Sequence, residues 1–161
     1  MFEPNATSFD VRFRIFGIHV RVHPLFWLFS AILGWPSGLA RNEQRLLVPF
    51  VLIWIGCVFV SILIHELGHV LMGRLFGSDG YIVLYSFGGV AVGSNDLRRR
   101  WQRILVTLAG PLVQLLLFGL TLLAVLFLRL PEAARHSPLL RELVNDLLLI
   151  NLSSRKNLPR R

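Results

Sequence analysis

His65, Glu66 and His69 stand in the pattern His65-Glu66-Leu67-Gly68-His69, whose chemistry is metal-assisted hydrolysis. On a helix, residues i and i+4 share one face a turn apart, so both imidazoles can grip a single Zn²⁺. The glutamate between them can act as general base on water that the metal activates. Ser61, Ile62, Leu63 and Ile64 precede the pattern, Val70, Leu71 and Met72 follow it, and residues 46–63 carry no charge. Unpartnered imidazoles and carboxylates cost several kcal/mol each in lipid, so their presence there marks a site. The bland alternative is a histidine pair hydrogen-bonded inside a helix bundle.

The elements that must position these residues read as membrane segments. The chain has 161 residues, 54% of them hydrophobic and 16% charged, with a mean hydropathy of +0.61. That is too apolar for an ordinary soluble domain, and the length allows one domain over 1–161 with three or four apolar segments. A net charge of +8 raises nucleic acid as a partner. The basic residues, however, cluster at the ends of apolar segments instead of interleaving with aromatics, so the expected partner is the lipid bilayer. Cys57 is the only cysteine, which excludes a disulfide framework or a cysteine-based metal site. No cleavable signal peptide is visible, because Glu3, Asp10 and three arginines precede the first long apolar stretch.

Residues 11–23 alternate apolar and polar around Gly17 and predict an interfacial β-hairpin. His19 and His23 on that hairpin are expected to be interfacial and not ligands. Membrane segments are expected at 25–40, broken by Gly34, Pro36 and Gly38, at 46–76, and at 104–130, bent at Gly110-Pro111. Residues 80–93 are β-branched and aromatic around Gly88-Gly89 and predict β strands. Residues 139–152 form a short, incomplete last helix, and 153–161 a polar tail. His136 falls in a polar loop and is expected to be solvated. With three crossings, Arg12, Arg14, Arg21, Arg74, Arg98, Arg99, Arg100 and Arg103 share one side, against Arg41 and Arg45 on the other. The positive-inside rule then gives an integral, multi-pass protein of the cell membrane with a cytoplasmic N-terminus. Arg98–Arg100 read as a topology anchor, with binding of anionic headgroups the alternative.

Across residues 11–152 the chain resembles the site-2 protease family of intramembrane zinc metalloproteases. The resemblance is carried by the apolar HELGH helix, by Phe87-Gly88-Gly89 in the strand region and by Ala109-Gly110-Pro111-Leu112. It implies a polytopic α-helical fold with a small membrane-associated β element, His65 and His69 as zinc ligands, and Glu66 as the catalytic base. It also implies transmembrane protein substrates that add as an edge strand to the small sheet. Gln114 stands where the family often has asparagine, another amide that keeps a polar role.

The sequence departs from the family at the third metal ligand, an aspartate within Asn-x-x-Pro-x-x-Pro-Leu-Asp-Gly. Ile150-Asn151-Leu152 resembles the start of that motif, but Ser153-Ser154-Arg155-Lys156 follows and no Leu-Asp-Gly appears. The expectation is a truncated or frame-disrupted last helix and impaired cleavage, with zinc one protein ligand short of three. Asp146 and Glu142 are the nearest substitutes, their alternative being pairing with Arg141 or Arg135. Two rivals to a protease remain: a non-catalytic membrane scaffold or binding relative, and a metal transporter or heme-type protein using the two histidines. Oligomeric state is not readable from the sequence.

Overall fold

The computed structural model describes residues 6–35, 45–86, 88–127 and 137–152. Residues 36–40 of the first apolar segment, 41–44 of the polar loop, Phe87, 128–136 with Arg135 and His136, and the 153–161 tail lie outside the described residues. The elements run β1 (Val11–Ile15), β2 (Ile18–Val22), α1 (Pro24–Leu33), α2 (Leu47–Leu75), β3 (Tyr81–Tyr85), β4 (Gly88–Val92), α3 (Arg100–Phe127) and α4 (Pro138–Leu152).

β1 and β2 are joined by a two-residue turn, Phe16-Gly17, with φ of 51° and 72°. Two successive left-handed residues match the right-handed twist of a hairpin and fix Ile15 opposite Ile18. This hairpin does not stand alone. β2 pairs in parallel with β3, and β3 in antiparallel with β4, giving one sheet in the order β1-β2-β3-β4. Its inner face (Ile18, Val20, Val22, Ile82 and Leu84) is buried against Phe26 of α1 and Leu63, Leu67 and Val70 of α2. An aromatic cluster extends this core, with Phe59 of α2 set 5.3–6.4 Å from the rings of Phe13, Phe26 and Trp27.

α2 ends in a Schellman motif. Gly77, at φ 86°, donates its N–H to the Arg74 carbonyl, and Ser78 donates to that of Gly73, both at 3.0 Å. These bonds satisfy the last carbonyls and turn the chain back into β3. At the same end Arg74 donates to the carbonyls of Phe16 (3.1 Å) and Gly17 (2.9 Å), tying the hairpin turn to α2.

α2 and α3, with 29 and 28 residues, are about 44 and about 42 Å long at about 1.5 Å per residue, enough to cross about 30 Å of hydrocarbon. Among the described residues they are the two helices long and apolar enough to do so, and only 22% and 11% of their most apolar stretches are buried within the chain. The remaining apolar surface faces outward, including Leu112, Leu116 and Leu120. α1 is only ten residues long, so the first apolar segment does not form a full-length spanning helix within the described part. Against expectation, His23 is buried. Its Nδ1 accepts from the Leu25 N–H at 3.2 Å, capping α1 ahead of Pro24.

α2 packs against both α3 and α4, and α3 against α4. The α2–α3 approach is closest at Gly68, where an added Cβ would lie 2.9 Å from the Ala109 carbonyl oxygen and 3.2 Å from Gly110 Cα. Because those neighbours are backbone, the helices themselves would have to part. Gly68→Ala is expected to destabilise the chain by about 1–3 kcal/mol through overpacking. Gly56→Ala, where a Cβ meets nothing within 4 Å, is neutral or stabilising by up to about 1 kcal/mol. Thermal unfolding in detergent checks the pair, and equal shifts in the same direction contradict the close approach.

Candidate metal centre

The contact at Gly68 sets α3 beside the His-Glu-x-x-His turn of α2, and each histidine takes its orientation from α3. His69 Nδ1 lies 2.6 Å from the Val106 carbonyl oxygen. A carbonyl only accepts, so Nδ1 carries the proton and Nε2 is left with a bare lone pair. His65 Nδ1 lies 2.9 Å from Gln114 Oε1. The amide oxygen accepts there, and His65 takes the same tautomer. The two Nε2 atoms then face each other 3.2 Å apart. In these neutral tautomers the two lone pairs cannot hydrogen-bond to one another, so the pair can act as a set of two acceptors. Two nitrogens about 2.0–2.1 Å from one tetrahedral zinc stand about 3.3 Å apart, so the residues present fit the ion. Gly110 completes the seat, because a Cβ there would overlap the His69 imidazole.

Glu66 lies about a quarter-turn round α2 from the histidine pair, close enough to interact electrostatically with His69, and faces the sheet. It is buried, 7% exposed, and its carboxylate accepts a hydrogen bond from the Ala91 backbone N–H of β4. Gly89 of the same strand fits against it, since a Cβ there would lie 2.5 Å from Glu66 Cγ. β4 is the edge strand of the sheet among the described residues, so the candidate base and a strand edge are neighbours.

Asp146 is not brought to the histidines. It is buried at 8% exposure with no hydrogen-bond partner on Oδ2, and it acts electrostatically on Cys57, about 12 Å along α2 from His65. Among the described residues no third His, Cys, Asp or Glu joins the pair. Gln114 is where the sequence placed a polar role. The Val106 carbonyl and the Ala91 N–H carry no sequence signal, because every residue but proline has both groups. The small residues Gly68, Ala109 and Gly110 were the available hint that two helices meet closely there.

This arrangement of sheet and helices is a site-2 protease-like fold. The solved site-2 protease from Methanocaldococcus jannaschii superposes with a TM-score of 0.57 at 24% identity, covering 89% of this chain and 62% of that one. The family model for peptidase family M50 matches residues 53–154, and the chain belongs to that family. Among named relatives, a Synechocystis protein provisionally described as a zinc metalloprotease (sll0528) is 36% identical over 115 residues, 67% of this chain and 30% of its own. Zinc metalloprotease MJ0392 of Methanocaldococcus jannaschii is 33% identical over 120 residues, 73% of this chain and 33% of its own. The chain thus spans about a third of the length of these relatives.

The tautomer assignment predicts the ¹⁵N spectrum of metal-free protein labelled at histidine. His65 and His69 are both expected to show a protonated Nδ1 and a bare Nε2. Gln114→Ala frees His65 to exchange tautomers and leaves His69 unchanged. A protonated Nε2 on His69 contradicts the geometry.

Proposed function

We propose that the chain is the zinc-binding part of an intramembrane metalloendopeptidase that cuts membrane-embedded protein substrates. The observation that carries this reading is the convergence of His65 Nε2 and His69 Nε2 at 3.2 Å, with both rings held from α3. Zinc supplies Lewis acidity there, polarising a peptide carbonyl and acidifying water. His65 and His69 hold the ion, while Gln114 and the Val106 carbonyl hold their rings. Glu66 takes the proton of the attacking water on a carboxylate oxygen and passes it to the leaving amine. The β4 edge beside Glu66 takes the substrate as an added strand, which satisfies peptide groups freed when a transmembrane helix unwinds.

The hairpin turn bound to Arg74, and the Phe76 ring 5.2 Å from that of Trp101, set the N-terminal sheet and the start of α3 at one end of the helices. That end holds most of the arginines, which supports a cytoplasmic N-terminus.

Two imidazoles are two of the three protein ligands that a catalytic zinc takes. Among the described residues no third ligand joins them, so this reading expects the 161-residue chain to be a weak protease or a non-cutting binder.

Purified in detergent, the chain is expected to retain about one zinc, as most structural and catalytic sites of this ligand type do. His65→Ala/His69→Ala abolishes retention, and Gln114→Ala weakens it about 10–100-fold. Elemental analysis after chelator competition measures this, and equal zinc in wild type and double variant contradicts the ligand assignment.

Cleavage of a model transmembrane substrate in liposomes is expected to rise when the chain is extended by a helix carrying Leu-Asp-Gly. Glu66→Gln in that extended chain should lower the rate by about 10²–10⁴-fold. Cleavage indifferent to Glu66→Gln contradicts the assigned base.

A further inference from the structure

The hydrogen-bonding groups along the free edge of β4 are not all open. Tyr85 and Gly88 face each other across two intervening residues, which makes them a hydrogen-bonded pair. Bonded and non-bonded pairs then alternate along an antiparallel ladder. Gly89 and Ala91, opposite Leu84 and Ile82, fall in the non-bonded pairs and turn their N–H and C=O groups away from β3. Ala91 bears this out, because its N–H donates to the Glu66 carboxylate and not into the ladder.

From Ala91 onward the chain uses these outward groups itself. The Ala91 carbonyl accepts from Ser94 Oγ at 2.9 Å. Two residues on, the Gly93 carbonyl accepts from Ser78 Oγ at 2.6 Å and from the Asp96 N–H at 3.2 Å. Ser94 is buried and closely packed: a Cβ on Gly73 would lie 2.5 Å from its carbonyl oxygen, and one on Gly80 3.1 Å from its Cα. Backbone on both sides therefore holds this stop in place. Among the described residues, the outward N–H and C=O of Gly89 have no such internal partner.

An extended peptide laid along β4 must match each outward N–H with a carbonyl and each outward carbonyl with an N–H. At Ala91 the match fails. An amide carries one hydrogen, and a peptide carbonyl cannot take it while Glu66 does. At Gly89 both groups are available. The missing side chain there also lets Glu66 lie against the strand, since a Cβ would stand 2.5 Å from Glu66 Cγ and 2.9 Å from Leu84 Cδ2. The open position and the candidate base are thus in contact.

We propose that an extended substrate pairs with β4 at Gly89 and stops at Ala91, so that Ser94 and Glu66 set its register. The proposal rests on the reading of the chain as a peptidase that receives an added strand. One substrate residue must then supply an N–H to the Gly89 carbonyl, while the residue that runs past Ala91 supplies none. Proline, which lacks that N–H, is excluded at the first position and tolerated at the second. Ser94 is a positioning residue, acting on the substrate through the carbonyl it occupies.

The test uses the full 161-residue chain in detergent, labelled with ¹⁵N at glycine and alanine, and a fluorescent, apolar transmembrane peptide of non-repeating sequence. On titration the Gly89 amide proton is expected to move downfield, as a new hydrogen bond requires, while the Ala91 amide keeps its place. N-methylation of the peptide one residue at a time should weaken binding about tenfold at one position and by less than about twofold two residues to either side. Ser94→Ala frees the Ala91 carbonyl and should add a second sensitive position two residues from the first. The spectra of the unaltered chain give a readout independent of how that variant folds. Movement of the Ala91 amide together with Gly89, or two sensitive positions in the unaltered chain, overturns the register and leaves strand addition standing. A methylation profile unchanged by Ser94→Ala overturns the role of Ser94 as the stop. A peptide that does not bind, or binds without moving Gly89, removes strand addition at this edge and the proposal with it.

Discussion

The near-contact of α2 and α3 at Gly68 is the constraint on which the rest depends. With backbone against backbone there, the Val106 carbonyl and the Gln114 amide come within hydrogen-bond reach of rings on the neighbouring helix. A separation one side chain wider would leave both imidazoles free to rotate and to hold either tautomer. The motif places two nitrogens on one helix face; the helix contact turns them into a preorganised pair. Gly110 serves the same end, leaving room for the His69 ring where any Cβ would collide. Pro111, one residue on, sits inside α3 without ending it, although its missing N–H leaves the Thr107 carbonyl without its helical partner.

The sheet is the second half of the device. Its inner face is bolted to α2 by aliphatic packing around Leu63, Leu67 and Val70, residues that share the helix with Glu66. The strand edge and the carboxylate are therefore parts of one rigid unit. Burying Glu66 would be costly without a partner, and the Ala91 N–H of β4 provides one. The Schellman stop at Gly77 makes this geometry possible, because it reverses the chain within three residues of α2 and returns it as β3 alongside β2.

Much of this was legible in the residues, and what was not has physical reasons. The His-Glu-x-x-His turn, the two long apolar helices and the alternation at 11–23 are local periodicities, which sequence records directly. The parallel pairing of β2 with β3 joins segments about sixty residues apart and leaves no local pattern, so the two strand regions read as separate elements. His23 looked interfacial because the chain alternates there, yet its place just before Pro24 makes it a helix cap. By residue type Asp146 and Glu142 are the nearest substitute ligands, with pairing to Arg141 or Arg135 the alternative. The helix register of Asp146 sets it beside Cys57 instead, a matter of how α4 packs and not of which residues it contains.

The most direct test of the central claim is zinc K-edge X-ray absorption on the purified, zinc-loaded chain. Two imidazole nitrogens at about 2.0–2.1 Å are expected in the first coordination sphere, and His69→Ala should remove one of them. A spectrum without imidazole scattering, or one unchanged by His69→Ala, would contradict a metal centre built on this helix pair.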